Sequence, residues 1–578
     1  MFVLSLKPLL KLPCKSSKLE QRCTPHILLS CKHSLFIKQS GSKFLRSLGQ
    51  IRRTLKSQGL HLVAKKGDVS DLCVSFFGAG YVGLVSSVCL ADFCRKVYCL
   101  DTDKEKIASL RDLQIPIHEP LLEDKLRKNY ESKRLFFLSE NFELAIRDSD
   151  ILFIAVGTPS RRGDGHADLS YVFSVAELIA EMLTPGYTLI VIKSTVPIGT
   201  CNKVQEFMKA KVKTPKVQFD VVSNPEFLRQ GSAVENFLHP DRVVVGGCGP
   251  VGSPSRKQME TLYSPFVKDK EALLFTSWEE AEMIKYASNA FLALKIQFTN
   301  EFADFCQLVN ANISVVMKAI GLDERIGSHY LQPGPGFGGS CLPKDIRALV
   351  RSAQEYSYSM RLLESVIEGN EIRKRRIAQW IATLANESCP KEDVGTFLHG
   401  HHTTVTTTNV YGKRFGILGL TFKANTDDLR ESPAIYVVQE LLSLGAHVSV
   451  YDPQVKIESV IRNFDNFKGF PLNICEDSYS ACKDADVVAI LTEWEEFRNL
   501  DWDRLHSLVS RPVIVDTRNL LEPSLIGEKG FCYYSLGRPP SFPQNNDKQQ
   551  QKYKISASET NLQQTKNSLI EKIKTGSQ

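Results

Sequence analysis

The chain has 578 residues, 43% of them hydrophobic and 24% charged, which is ordinary globular material and, at about 100–200 residues per domain, enough for roughly three domains. Its formal charge of +7 is lopsided: residues 1–66 hold fourteen Lys or Arg against one acid, Glu20, a local charge of +13 that leaves −6 on the remainder. The body is therefore mildly acidic, which argues against nucleic-acid binding, and no apolar run reaches the roughly 18–20 residues that a membrane span needs.

The leader, residues 1–70, is basic, contains serines and nearly lacks acids, the composition of an organelle transit peptide. It predicts a plastid or mitochondrial location, with the cytoplasm as the alternative. Fifteen cysteines without a Cys-x-x-Cys pair argue against a disulfide framework and a four-thiolate zinc site, so a reducing compartment is the default.

From Leu72 an apolar run, Cys73 to Phe77, leads into Gly78-Ala79-Gly80-Tyr81-Val82-Gly83 and a helical stretch to Phe93; a second run, Lys96 to Leu100, ends in Asp101. Strand, glycine turn, helix, strand and acid is the order of a dinucleotide-binding βαβ unit. Gly78 makes the tight turn, Gly80 lets the backbone approach a pyrophosphate, and Gly83 permits close helix packing; the pyrophosphate belongs at the helix N-terminus. Asp101, 23 residues after Gly78, should accept ribose hydroxyls and repel a 2′-phosphate, favouring NAD over NADP.

Further strands are expected at Ile151–Val156, Thr188–Lys193 and Phe219–Ser223, with the polar turns Gly157-Thr158-Pro159 and Ser194-Thr195-Val196-Pro197 at carboxyl ends. Alternation with helices implies a parallel sheet. Residues 71–277 therefore form a dinucleotide-binding domain, followed by a helical unit over 278–385. That unit contains a long amphipathic segment from about Trp278 to Leu308, which could bury its apolar face in a dimer.

Residues 333–345 read Pro-Gly-Pro-Gly-Phe-Gly-Gly-Ser-Cys-Leu-Pro-Lys-Asp. A glycine-rich loop delivering Cys341 to the start of a predicted helix, beside Lys344, suggests a nucleophile with a lowered pKa; a packed thiol would produce the same run. Residues 386–411 form a His/Thr-rich linker in which His399, His401 and His402 read as a solvated loop rather than a metal site. A second α/β unit over 412–540 has strands at Arg414–Leu418, His447–Tyr451, Val487–Leu491 and Val513–Asp516 and a helix at Ser432–Leu444. It repeats the first without its glycine fingerprint, predicting doubly wound topology with a different ligand. The Gln/Lys-rich residues 541–578 are expected to be a disordered tail.

A NAD-type domain joined to a cysteine suggests aldehyde oxidation through a covalent adduct, because a thiolate adds to the carbonyl and the resulting tetrahedral centre can lose hydride. Eight features, in order, carry a resemblance: Gly78–Gly83, Asp101, Val156-Gly157-Thr158-Pro159, Ser194-Thr195-Val196-Pro197, Asn224-Pro225-Glu226-Phe227-Leu228, Lys285 with Asn289, Gly338–Asp345, and Phe422-Lys423-Ala424-Asn425-Thr426-Asp427-Asp428. Over about residues 72–540 the chain resembles the UDP-glucose/GDP-mannose dehydrogenase family. The resemblance implies two Rossmann-like α/β domains, nucleotide-binding and UDP-binding, joined by a helical dimerisation domain. It also implies a homodimer or higher oligomer, and a four-electron, NAD-dependent oxidation of a nucleotide sugar's primary alcohol to a carboxylate. UDP-glucose is the expected substrate and GDP-mannose the alternative; a non-catalytic nucleotide-sugar-binding homologue is the reading from another class.

Residue by residue, the resemblance implies that Cys341 forms a thioester, Lys285 and Asn289 hold the developing oxyanion, Asp345 and Thr195 place water, and Glu226 is the base. It assigns Gly78, Gly80, Tyr81, Val82, Gly83, Asp101, Lys106, Gly157, Thr158, Thr195 and Lys344 to the cofactor. To the substrate it assigns Glu226, Phe227, Leu228, Lys285, Asn289, Arg325, Tyr330, Gly338, Phe422, Lys423 and Arg518, with Arg325 able to reach across a dimer interface. Gln230 departs from the family, many of whose members carry Glu there.

Overall fold

The computed structural model describes residues 68–161, 163, 165–386 and 409–543. Residues 1–67 of the basic leader, the three histidines of the Thr-rich linker and the Gln-rich tail from 544 lie outside the described residues.

The first sheet contains β1 (Cys73–Phe77), β2 (Lys96–Leu100), β3 (Leu135–Leu138), β4 (Ile151–Ile154), β5 (Gly186–Ile192), β6 (Val217–Ser223), β7 (Val243–Gly246) and β8 (Leu273–Thr276). Their order is β3-β2-β1-β4-β5-β6-β7-β8, parallel apart from one antiparallel pairing between Ser223 and Gly246. Every residue of β1 and β4 is buried, because helices cover both faces; such strands read as unbroken apolar runs. The order reverses between β1 and β4, which opens a crevice at their carboxyl ends.

The turn after β1 leads into helix α1 (Tyr81–Ala91). Gly78 has φ +106°, and a Cβ there would lie 2.6 Å from the Ala155 carbonyl oxygen. A Cβ on Gly83 would fall 1.9 Å from the Gly78 carbonyl oxygen, so only glycine lets α1 pack on the turn.

The second sheet, β9 (Arg414–Leu418), β10 (His447–Tyr451), β11 (Leu472–Ile474), β12 (Val487–Ile490), β13 (Val513–Asp516) and β14 (Cys532–Ser535), has the order β11-β10-β9-β12-β13-β14. The repeat extends to individual bonds. Gly78 N–H donates to Leu100 O at 2.7 Å, and Gly419 N–H donates to Tyr451 O at 2.8 Å. Asp101 accepts from Ala79 N–H at 2.9 Å; its counterpart Asp452 accepts from Leu420 and Thr421 N–H at 2.7 and 3.1 Å. The Thr421 hydroxyl and the Trp494 indole also donate to Asp452. Four donors of the chain itself thus converge on Oδ2 of the buried Asp452, so the second unit keeps the topology while that oxygen is turned to its own backbone and side chains.

Helix α2 (Thr200–Lys211) connects β5 to β6 in the first domain, and the helices α3 (Trp278–Leu308), α4 (Leu342–Glu355) and α5 (Arg361–Asn386) follow between the two sheets in the chain. A Ser277–Glu280 capping box starts α3. Helix α5 ends at Asn386, and its Ile377, Trp380, Ile381 and Leu384 pack into the core of the second α/β domain. One face of α3 leaves Phe291, Phe298, Phe302 and Phe305 exposed, at 61, 41, 41 and 57%, at spacings that put them on one side of a helix. No helix among the described residues is long and apolar enough to cross a membrane.

Candidate functional site

Lys285 and Asn289 are four residues apart on α3, and Cys341 and Asp345 are four apart at the start of α4, so each pair shares one helix face. The faces meet where Asn289 Nδ2 donates to Asp345 Oδ2 at 2.6 Å. From the loop after β6, Glu226 Oε1 accepts from Lys285 Nζ at 3.1 Å, and the pair is buried. Burial opposes the Glu226 charge, but Lys285 and the Leu228 N–H at 2.6 Å outweigh it and hold the carboxyl below its ordinary value. The same attraction, reinforced by Cys341 and Asp345, overcomes the burial of Lys285 and raises its ammonium.

Cys341 is the exposed thiol among the described cysteines; the others are buried or half-buried. Its pKa expectation is corrected by the structure. The residue is exposed, yet the protein packed around its sulfur and then the Glu226 charge push the thiol up, Lys285 acting in opposition. Lys344 turns away from the thiol: its Nζ meets Asp345 Oδ1 at 2.5 Å and Thr158 Oγ1 at 3.5 Å.

That contact ties the thiol helix to the expected cofactor residues. Thr158 Oγ1 donates to Thr195 O at 2.9 Å, Asp101 Oδ2 pairs with Lys106 Nζ at 3.0 Å, and Tyr81 donates its hydroxyl to Glu119. A Cβ on Gly80 or Gly157 meets nothing within 4 Å; Gly80 is exposed and Val82 half-buried beside it, at the N-terminus of α1. Open backbone at a helix N-terminus, below a carboxylate, fits a dinucleotide.

The expected substrate residues converge from both α/β domains. The Phe227 ring carries the Arg242 guanidinium at 3.9 Å and the Lys285 ammonium at 5.4 Å. Leu228 packs against the first core. Tyr330, at φ +65°, is electrostatically coupled to Lys285 and Cys341; a positive φ on a tyrosine is held strain. Gly338 packs so closely that a Cβ would lie 2.3 Å from Glu431 O, and Phe422 lies against Gly339. Lys423 Nζ donates to Gln230 O at 2.6 Å, and Arg518 donates to Phe422 O at 2.8 Å. Arg325 is the exception: its side chain is 88% exposed and paired with Asp323.

Several supporting residues carry no motif. Asn370 on α5 clamps Phe337 through both backbone groups, at 2.8 and 3.1 Å, while Arg373 donates to Gly334 O at 2.6 Å. Together they hold the loop that ends at Cys341. On α3, Glu282 accepts from Gly199 and Cys201 N–H at 2.6 and 2.8 Å, pinning the start of α2 and the Thr195 loop before it. Spacing offered one clue to Glu282, which lies one turn before Lys285.

Three family profiles match in sequence order: the NAD binding domain of the UDP-glucose/GDP-mannose dehydrogenase family at residues 72–267, its central domain at 279–372 and its UDP binding domain at 416–523. A UDP-glucose 6-dehydrogenase of Rhizobium meliloti is 45% identical over 466 residues, 81% of this chain and 99% of that protein. Another, from Bacillus subtilis, is 41% identical over 81% of this chain and 93% of its own length. The structure of a UDP-glucose dehydrogenase from the hyperthermophilic archaeon Pyrobaculum islandicum superposes with a TM-score of 0.69 at 33% identity, covering 82% of this chain and all of that one. With its three domains matched in order and its relatives covered almost end to end, the chain is a member of the UDP-glucose/GDP-mannose dehydrogenase family.

Proposed function

We propose that the protein oxidises the C6 alcohol of UDP-glucose to the carboxylate of UDP-glucuronate through a thioester on Cys341. The observation that carries this reading is the one exposed thiol among the described residues, set one helical turn from Asp345 and acted on by the charges of the buried Glu226–Lys285 pair. NAD, when bound, supplies the hydride acceptor in both oxidations. Gly80, Asp101 and Gly157 would hold it.

Cys341 Sγ adds to the carbon of the aldehyde formed in the first oxidation, and the thiohemiacetal becomes a thioester in the second. The Lys285 ammonium and the second N–H of Asn289 stabilise the oxygen that gains charge. Glu226 takes a proton from water, positioned by Asp345 and Thr195, whose oxygen then attacks the thioester. Lys423 comes to the diphosphate, and Arg518 braces the Phe422 backbone beside it.

The test is NADH formation with UDP-glucose, GDP-mannose and UDP-N-acetylglucosamine. Two NADH per UDP-glucose is the expected result; activity confined to GDP-mannose would overturn the substrate assignment.

The exposed phenylalanine face of α3 is proposed to pair with a second copy, with Arg325 serving the neighbour's site. Mixing inactive Arg325→Ala and Cys341→Ala proteins should then restore NADH formation, because a mixed dimer holds one site with both residues. Mixed dimers that stay inactive would place Arg325 elsewhere.

Gln230 bridges the domains: its amide donates to Asp428 Oδ2 at 3.0 Å and accepts from the Thr426 hydroxyl at 3.2 Å. Gln230→Glu would set two carboxylates against each other. The KM for UDP-glucose should therefore rise several-fold at about pH 8 and recover toward about pH 6 as the pair takes up a proton. A pH-independent KM would show that this contact does not govern substrate binding.

A further inference from the structure

Lys193 follows β5 and is buried. Its Nζ meets neutral oxygens, Asn224 Oδ1 at 3.0 Å and Tyr263 Oη at 3.5 Å, and among the described residues no carboxylate lies within ion-pair distance of it. The Tyr263 hydroxyl donates to the same Asn224 oxygen at 2.5 Å, and Asn224 Nδ2 is anchored on Val244 O at 2.8 Å, so the ammonium is held in place. A buried cation without a directly paired anion opposes folding. Burial, with the Lys285 charge adding to it, brings this ammonium down to about 8 although Glu226 attracts it.

Lys193, Asn224, Glu226, Phe227, Arg242 and Tyr263 line a cavity of about 60 Å³, roomy enough for ordered water beside these polar groups. Asn224 stands two residues before Glu226, so the same loop presents the anchor of Lys193 and the carboxylate. Four other groups act on Glu226: Lys285 from α3, the Leu228 N–H from its own loop, Cys341 at the start of α4 and Tyr81 from α1.

We propose that Lys193 is a positioning residue for thioester hydrolysis, holding Glu226 ionised while the Lys285 ammonium is drawn to the substrate oxygen. This rests on the reaction assigned above. In the step it serves, water gives one proton to Glu226 and its oxygen to the thioester carbonyl carbon. The C–S bond breaks, Cys341 leaves as thiolate and recovers that proton, and the carboxylic acid releases the other proton to solvent. Without Lys193, Glu226 has one counter-charge to share with the oxyanion and is protonated when it should accept.

Lys193→Met and Lys193→Gln remove the charge, the second keeping a hydrogen-bond donor; Lys193→Arg keeps the charge. In the full-length enzyme with UDP-glucose and NAD, the neutral variants should move the acid limb of the kcat–pH profile upward by about one unit. They should also accumulate the sugar-adduct mass on acid quenching, with KM within about twofold of wild type. Arg should restore the limb. A soluble neutral variant with an unmoved limb and no adduct overturns the proposal. So does the loss of both neutral variants from the soluble fraction while Arg folds, which would assign the charge to folding. Failure of the wild type to reduce NAD with UDP-glucose would instead sink the underlying reaction.

Discussion

Replacing Cys341 with alanine is expected to lower NADH formation from UDP-glucose by about a thousandfold or more, because no other thiol among the described residues is exposed and the second oxidation needs the covalent adduct. The fold should be unaffected. Cys341 is exposed and packs into no core, and surface substitutions of this kind change stability by about 0.5 kcal/mol or less. The wild-type thiol carries a further signature. Although the residue is exposed, the protein packed around its sulfur and the Glu226 charge raise its pKa, so the thiolate fraction, and with it the rate of alkylation by iodoacetamide, should keep climbing past the ordinary value of 9.0. Intact-mass measurement should find a sugar adduct on the wild type and none on the variant. Normal turnover by Cys341→Ala would remove the covalent mechanism.

Much of this architecture was legible because β1, β2, β9 and β13 are short apolar runs bounded by Gly, Asp or Pro, and buried parallel strands such as β1 and β2 have no alternation to confuse. The strands β3, β7, β8, β11 and β14 were not read. Each has five residues or fewer, and the pairing that makes it a strand comes from a neighbour distant in the chain. At the site, residues in dense motifs were visible, whereas Glu119, Glu282, Asn370 and Arg373 act by capping backbone groups far away in sequence, and no local spacing encodes that partner. The pKa of Cys341 was misjudged for a related reason. Adjacency in sequence placed Lys344 beside the thiol, but at the first turn of α4 its side chain departs toward Asp345 and Thr158.

Lys285→Met is the second variant with a large expected effect, and it acts on stability as well as rate. Removing one partner from a buried ion pair leaves a carboxylate without its nearest counter-charge, a loss of roughly 3–5 kcal/mol, and oxyanion stabilisation disappears with it, lowering kcat by about a hundredfold or more. The pH dependence separates this from ordinary loss of packing. In the wild type Glu226 titrates below its ordinary 4.5, so its pairing stabilises the fold above that value and is lost only as pH falls through the lower native pKa. Lys285 titrates above its ordinary 10.5, so its contribution is present at neutral pH and is lost only as pH rises through that higher value. Between about pH 8 and about pH 5.5 the pair therefore adds no slope to the wild-type stability. In Lys285→Met, burial faces only the more remote Lys193 and the Leu228 N–H, so the Glu226 carboxyl moves up; acidification then protonates and stabilises the native state, and the melting temperature should rise over that interval. Adding Glu226→Gln removes the stranded charge. The double variant should recover most of the lost stability, lose the pH slope and remain inactive. A flat melting profile for Lys285→Met would mean that its carboxylate had found another partner or open water, and that the pair does not set the ionisation of Glu226. Recovery of stability without recovery of turnover would show that the Glu226–Lys285 pair is retained for the chemistry at Cys341 rather than for the fold.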